Sequence, residues 1–229
     1  MRVFHDPKDL ADAIEAATER KFFIGIDLGT ARDHTALVVL DVVRTPMVEL
    51  HKTVPDPIPF STRYEMVHGD RLPLQLDYTE IVRRIGETVN RPPVSGKASI
   101  GYDFSGVGRP IGSMLKEAGI QGTGVQITGG TGAGSTVGGV MNVSKSHLMS
   151  SLLKTIHQRT LRLSPDMDCY EAIRAELQDL REHTSPSGAV KVEALEGRKD
   201  DLALALAIAV YLATNGPRPA VVGKFVTGG

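Results

Sequence analysis

The stretch Phe22 to Asp41, FFIGIDLGTARDHTALVVLD, constrains the fold more than any other part of the chain. Phe22, Phe23, Ile24 and Ile26 make an apolar run too short for a helix and rich in β-formers, which predicts a buried strand. Asp27 stands at its end. A carboxylate there is costly to bury unless a cation meets it at the mouth of the sheet, and the plain alternative is a turn former. Gly29 supplies the turn, and Ala36 to Leu40 returns as the antiparallel half of a hairpin. This puts Asp27 at the sheet centre with Asp33 and His34 on the loop above it.

The other elements follow from periodicity and punctuation. Asp6 and Pro7 open an amphipathic helix over Asp9–Arg20, so residues 1–21 are an N-terminal helix leading into the main domain. Met47–Val54 reads as a third strand, broken by VPDPIP, while Ser61–Asp77 is mixed and polar and receives no assignment. Ile81, Val82, Ile85 and Val89 repeat at helical spacing behind Asp77 as N-cap. Lys97–Tyr102 is a strand ending on Asp103, and a helix from Pro110 to Ala118 follows the Gly106–Gly108 turn. Val125–Thr128 is a short strand. Gly129–Gly139 is too glycine-rich for a helix or strand interior and reads as a mobile loop or loose hairpin tip. Ser144–Gln158 and Asp168–Arg181 are helices, Leu161–Leu163 an edge strand, and Ala189–Ala194 another strand. From Asp200-Asp201 the chain runs LALALAIAVYLA, apolar nearly all round and so a buried helix. Residues 22–214 form one domain, and residues 215–229 a tail.

Composition narrows the function. A net charge of −1 over 229 residues means that a nucleic-acid partner is met by a local basic patch rather than by the whole molecule. The single cysteine, Cys169, excludes an internal disulfide and a multi-thiolate metal site, and fits a reducing compartment. No apolar run approaches the ~18 residues of a membrane span, and the first residues lack the layout of a signal peptide. The expectation is a soluble intracellular protein with no membrane partner.

Three carboxylates stand at element ends: Asp27 and Asp103 after strands, Asp201 opening the buried helix. A mixed sheet that sets those ends side by side brings the acids into one cleft. Oxygen ligands, a few carboxylates and retained waters are the site that Mg²⁺ prefers. Each acid also has a structural reading: Asp200 or Asp201 as the cap of the last helix, Asp103 as the holder of the turn beside Gly106.

The ordered words IGIDLGTARDHTALVVLD, IGYDFSGVGRPIGSMLKEAGI, VQITGG, NVSKSHLMSSLLKTIHQRTLRL and EGRKDDLALALAIAVYLA resemble the nuclease domain of the large terminase subunit of tailed bacteriophages. They span most of Phe22 to Ala213. The resemblance implies an α/β, RNase H-like fold, a central mixed β-sheet flanked by helices. It implies a metal-dependent endonuclease that cuts concatemeric double-stranded DNA during packaging in the cytoplasm of the infected bacterial host. Asp27, Asp103 and Asp201 would be the catalytic acids and hold two Mg²⁺ or Mn²⁺ ions, with Asp200 and Asp33 as auxiliary acids. Asp27 would bridge the ions, with water as nucleophile. Implied partners are a packaging ATPase domain or subunit, the portal and the small terminase.

DNA is expected along Arg32, Arg109, Lys145, Arg198 and Lys199, the basic residues nearest the acids, each of which reads equally as solvated rim charge. Two features depart from the family pattern. No GxxxxGK[ST] phosphate loop is present, so the chain reads as an excised domain or a separately encoded nuclease. Lys199 occupies the place where many relatives carry a His, so the resemblance leaves the ion preference open.

Three other readings compete. IDLGT at Ile26–Thr30 is also the first phosphate loop of actin-like and heat-shock-type phosphotransferases, and DFSGVG loosely imitates their second. Those enzymes close two large lobes on a nucleotide, and this chain has room for about one. Holliday-junction resolvases and other RNase H-like enzymes share the acids but not the later words. A non-catalytic DNA-binding or assembly module would leave three acids repelling one another in one cleft.

Overall fold

The computed structural model describes residues 3–29, 33–129, 134–184, 190–195, 197 and 199–215. Its elements run α1 (Pro7–Ala17), β1 (Glu19–Asp27), β2 (Ala36–Pro46), β3 (Phe60–Arg71), α2 (Tyr78–Val89), β4 (Ala98–Asp103), α3 (Gly108–Glu117), β5 (Thr123–Thr128), β6 (Ser135–Val137), β7 (Val140–Ser144), α4 (Lys145–His157), β8 (Leu161–Leu163), α5 (Tyr170–Asp179), β9 (Leu180–Thr184), β10 (Val190–Ala194) and α6 (Asp201–Asn215). Eight strands form a mixed sheet in the order β6-β7-β5-β4-β1-β2-β3-β8, and β9 and β10 pair separately. β1 is antiparallel to β2 and parallel to β4, which makes the Phe22–Asp41 hairpin the middle of the sheet.

Strand alternation sorts the core into two layers. Phe22, Ile24 and Ile26 of β1, with Ile100 and Tyr102 of β4, pack against α2 and α3 through Ile81, Ile85, Ile111 and Leu115. The opposite face carries Phe23, Val38, Leu40 and Val42 and is covered by α4, α5 and α6. α6 lies against β1, β2, β3 and β4 on one side and α4 and α5 on the other. Every residue from Leu202 to Leu212 is buried, so this helix has no need of a polar stripe. Its approach to the sheet is close because Gly25 and Gly101 sit in register beneath it. A Cβ on Gly25 would lie 1.9 Å from the Ala205 carbonyl oxygen.

Several expectations are corrected. Met47–Val54 is not a strand: Val48, Leu50 and Val54 fold over Phe4, Leu10, Ala13 and Ala17 as a small satellite core, with only a Val3–Thr53 bridge. The third strand is Phe60–Arg71, within the stretch that periodicity left unassigned; only Met66 and Gly69 along it are buried, so its polar residues mask the β pattern. The first helix stops at Ala17, and Glu19–Lys21 already belong to β1. The glycine-rich segment contains a strand after all, β6, which pairs with β7 as a hairpin whose tip is Gly138-Gly139 at positive φ. Residues 130–133 of that segment and 216–229 of the tail lie outside the described residues.

Candidate metal centre and nucleic-acid interface

The register of the central strands predicts where the acids meet. Ile26 pairs with Tyr102 across the parallel β1–β4 ladder, so Asp27 and Asp103 come one step further on, on adjacent strands. Both follow residues that face α2 and α3, and alternation turns both toward the α6 side. On the other flank Asp27 pairs with Ala36 of β2, and Ala36 with Arg71 of β3. One row across four strands therefore reads Asp103, Asp27, Ala36, Arg71, and the N-terminus of α6 stands over it.

Asp27 feels this crowding. Burial pushes its carboxyl well above the ordinary carboxylate range, and Asp103, Asp201 and Asp200 push it further in that order, while Lys145 pulls the other way. Asp27, Asp103, Asp200 and Asp201 thus share one electrostatic site. Asp201 is also raised by burial, opposed by the positive charge of Arg71, His34 and Lys199. Among the described residues, no three His, Cys, Asp or Glu side chains are drawn in tightly enough to enclose an ion. Two of these acids stand beside basic side chains, whose positive charge offsets part of the repulsion between the carboxylates. Lys145 Nζ lies 2.6 Å from Asp200, and Arg71 Nε 3.4 Å from Asp201.

Asp103 does hold its turn, since Oδ1 accepts the Ser105 N–H at 2.8 Å, yet its charge also reaches Asp27. The Asp200 carbonyl accepts the Leu204 N–H at 2.7 Å, so Asp200 occupies the cap position of α6. Its side chain is not what satisfies the first turn: Glu176 Oε2, from α5, accepts the Ala203 N–H at 2.8 Å. Capping from a neighbouring helix leaves both aspartates facing the cleft, where the positive end of the helix dipole favours them.

Arg71 and Glu176 are the residues that sequence reasoning missed. Glu176 is 4% exposed and forms an ion pair with the Arg71 guanidinium. The signal was present in α5, where Glu176 stands three residues after the buried Ile173 on what should be an apolar face. Arg71 carried no such signal, because it ends a strand that polarity hides.

The remaining expected residues are distributed around this centre. Asp33 is exposed on the loop above it, and His34 Nδ1 contacts the Leu72 carbonyl at 2.8 Å. Lys145 is the first residue of α4, whose cap is Ser144, and its charge bears on both Asp200 and Asp27. Arg109, in the first turn of α3, sits 5.7 Å from the Phe104 ring centroid, and Lys199 is exposed just before α6. Arg32 and Arg198 lie outside the described residues.

A mixed sheet centred on a β1–β2 hairpin, with a buried helix bringing acids to the strand ends, is the RNase H-like α/β architecture. Solved structures that share it include phage large terminase nucleases. That of the thermophilic phage G20c with bound magnesium superposes with a TM-score of 0.54 at 20% identity, covering 91% of this chain and 84% of that one. The same nuclease with bound cobalt gives 0.54 at 22% identity over 84% and 81%. The large terminase nuclease domain of Thermus phage P74-26 gives 0.53 at 20% identity over 84% and 80%. No family profile and no curated relative matches the sequence, so the likeness is one of fold. No helix among the described residues is long and apolar enough to cross a membrane.

Proposed function

We propose that this chain is a divalent-metal-dependent DNA endonuclease, the nuclease part of a viral DNA-packaging terminase that cuts concatemeric double-stranded DNA. The observation that carries the reading is the row that sets Asp27 and Asp103 side by side on adjacent strands beneath Asp201 at the start of α6, on a fold whose solved examples include terminase nucleases with bound magnesium and cobalt. The donor set fits such ions. It is made of carboxylates alone, which suits hard cations that keep most of their waters and need few protein ligands each.

Asp27, Asp103 and Asp201 would hold the ions, with Asp200 and Asp33 as auxiliary acids. When bound, two Mg²⁺ or Mn²⁺ ions supply an activated water and stabilise the leaving oxygen of a phosphodiester. The chain's own residues do the rest. Burial and the neighbouring acids make the charged form of Asp27 costly until a cation meets it, and the dipole of α6 favours the carboxylates of Asp200 and Asp201 at its start. Lys145, Arg109, Lys199, Arg32 and Arg198 are the proposed rim, offering phosphate contacts that do not read sequence. Packaging ATPase, portal and small terminase are the proposed partners, and the host cytoplasm the proposed site of action.

The test is plasmid cleavage with Mn²⁺ or Mg²⁺. Wild-type protein should nick and linearise DNA, lose this with EDTA, and lose it in Asp27→Ala and Asp201→Ala while far-UV CD stays unchanged. Cleavage that persists in either purified variant overturns the assignment. ATP binding together with no cleavage under any divalent ion would favour the phosphotransferase reading.

A further inference from the structure

We propose that Glu176 is a clamp that holds the Arg71 guanidinium off Asp201, so that the carboxylate stays available to a metal ion. The inference rests on the metal-site reading above and concerns two residues which that reading does not use. Arg71 and Asp201 are close enough to pair, at 3.4 Å between Nε and Oδ2. They nevertheless make no hydrogen bond: both atoms are buried and, among the described residues, neither has a hydrogen-bond partner. Two buried, oppositely charged, unsatisfied atoms this near each other would ordinarily close to a charge-assisted bond of about 2.8 Å. Something restrains them.

The restraint is visible on the far side of the guanidinium. Arg71 donates through Nη2 to Glu176 Oε1, and the other carboxylate oxygen of Glu176 is committed to the Ala203 N–H at 2.8 Å. Glu176 is thus anchored to the first turn of α6, the helix that carries Asp201. The anchor fixes the distance between guanidinium and Asp201 from both ends. The backbone of Arg71 is fixed as well, because as the last residue of β3 it pairs with Ala36 in the sheet. Arg71 is a positioning residue here, and Glu176 sets its position.

The chemistry predicts what release would do. In Glu176→Gln the amide oxygen still accepts the Ala203 N–H, so the turn of α6 keeps its cap, but the charge that holds Arg71 is gone. The guanidinium then closes on Asp201 and competes with the ion for its carboxylate. Mn²⁺ affinity, measured by calorimetry, should fall about tenfold or more, the usual scale for losing a residue that supports a metal ligand. Glu176→Gln combined with Arg71→Gln removes the competitor along with the clamp, and affinity should recover to within about threefold of wild type. A purely structural role for Glu176 predicts no such rescue.

A second measurement needs no metal. In ¹⁵N-resolved spectra of metal-free protein, the Arg71 Nε–H should be free of a hydrogen bond in the wild type and move downfield in Glu176→Gln, and Asp201→Ala, which removes the acceptor, should abolish the movement in that background. A downfield Nε–H already present in the wild type, an unmoved signal in Glu176→Gln, unchanged Mn²⁺ affinity in Glu176→Gln, or a double variant as weak as the single would each overturn the clamp. The two readings fail separately: wild-type protein that binds no Mn²⁺ refutes the metal site, while the Nε–H signal still decides the clamp.

Discussion

Gly25→Ala tests the link between packing and the site most directly. Gly25 lies on the α6 face of β1, two residues before Asp27, and an added Cβ would stand 1.9 Å from the Ala205 carbonyl oxygen and 2.8 Å from the Ala209 N–H nitrogen. Ordinary contact begins near 3.4 Å, so the methyl group is about 1.5 Å too close to backbone that cannot rotate away. The helix must lift from the sheet, and Asp201 lies one turn before Ala205 on the part that lifts. Overpacking a filled core costs about 1–3 kcal/mol, and a clash with backbone belongs at the top of that range. For a chain of this size about 3 kcal/mol corresponds to a Tm lower by about 6–12 °C. Two controls calibrate the argument. Gly101→Ala meets side chains rather than backbone, Leu212 at 2.6 Å and Ile208 at 3.1 Å, and should lose less. Gly86→Ala in α2 meets nothing closer than Ile120 at 3.5 Å and should gain up to about 1 kcal/mol of helix propensity. Differential scanning calorimetry gives all three shifts, and calorimetric titration with Mn²⁺ reads the separation of the acids in Gly25→Ala. A Gly25→Ala protein melting within about 2 °C of wild type would refute the close approach of α6.

Other consequences are open to measurement. Because the folded state raises the Asp27 carboxyl above the ordinary range, the native protein holds that proton more tightly than the unfolded chain, and stability is lost as pH rises from the ordinary carboxylate range through the raised native value. Asp27→Asn in EDTA should therefore melt above wild type at pH 7 and converge with it at pH 4 and below, and Mn²⁺ should stabilise only the wild type; equal melting at pH 7 would contradict the crowding. Arg20→Met strips the partner, at 2.8 Å, from Asp41, which is only 4% exposed, and should cost about 1–3 kcal/mol in urea denaturation, Arg20 itself being 60% exposed. Adding Asp41→Leu should recover most of it. Lys145→Gln should weaken binding to any duplex alike and reduce the salt slope of log Kd by about one; an unchanged slope would remove Lys145 from the DNA path.

How much of this was legible in the chain depends on whether the signal is local. The Phe22–Asp41 hairpin, α2 behind Asp77, β4 ending on Asp103 and the apolar helix after Asp201 all follow from composition within a dozen residues, and each appears close to its expected place. β3 was hidden because an antiparallel strand with two half-exposed faces need not alternate visibly, and Met47–Val54 misled because its apolar residues serve a satellite core rather than a sheet. β9 was absorbed into the helix expected over Asp168–Arg181, which stops at Asp179.

The same division runs through the site. Sequence alone put carboxylates at the ends of two strands and the start of one helix, since those positions follow from local apolar runs and their boundaries. It could not say that they face the same way. Only the tertiary structure did that, by pairing β1 with β4 in parallel so that alternation turns Asp27 and Asp103 to one face, and by letting α6 settle on Gly25 and Gly101 so that Asp201 joins them. Arg71 and Glu176 belong wholly to that level: they stand 105 positions apart, and what makes them partners is the buried space between β3, α5 and α6, where an unpaired charge could not survive.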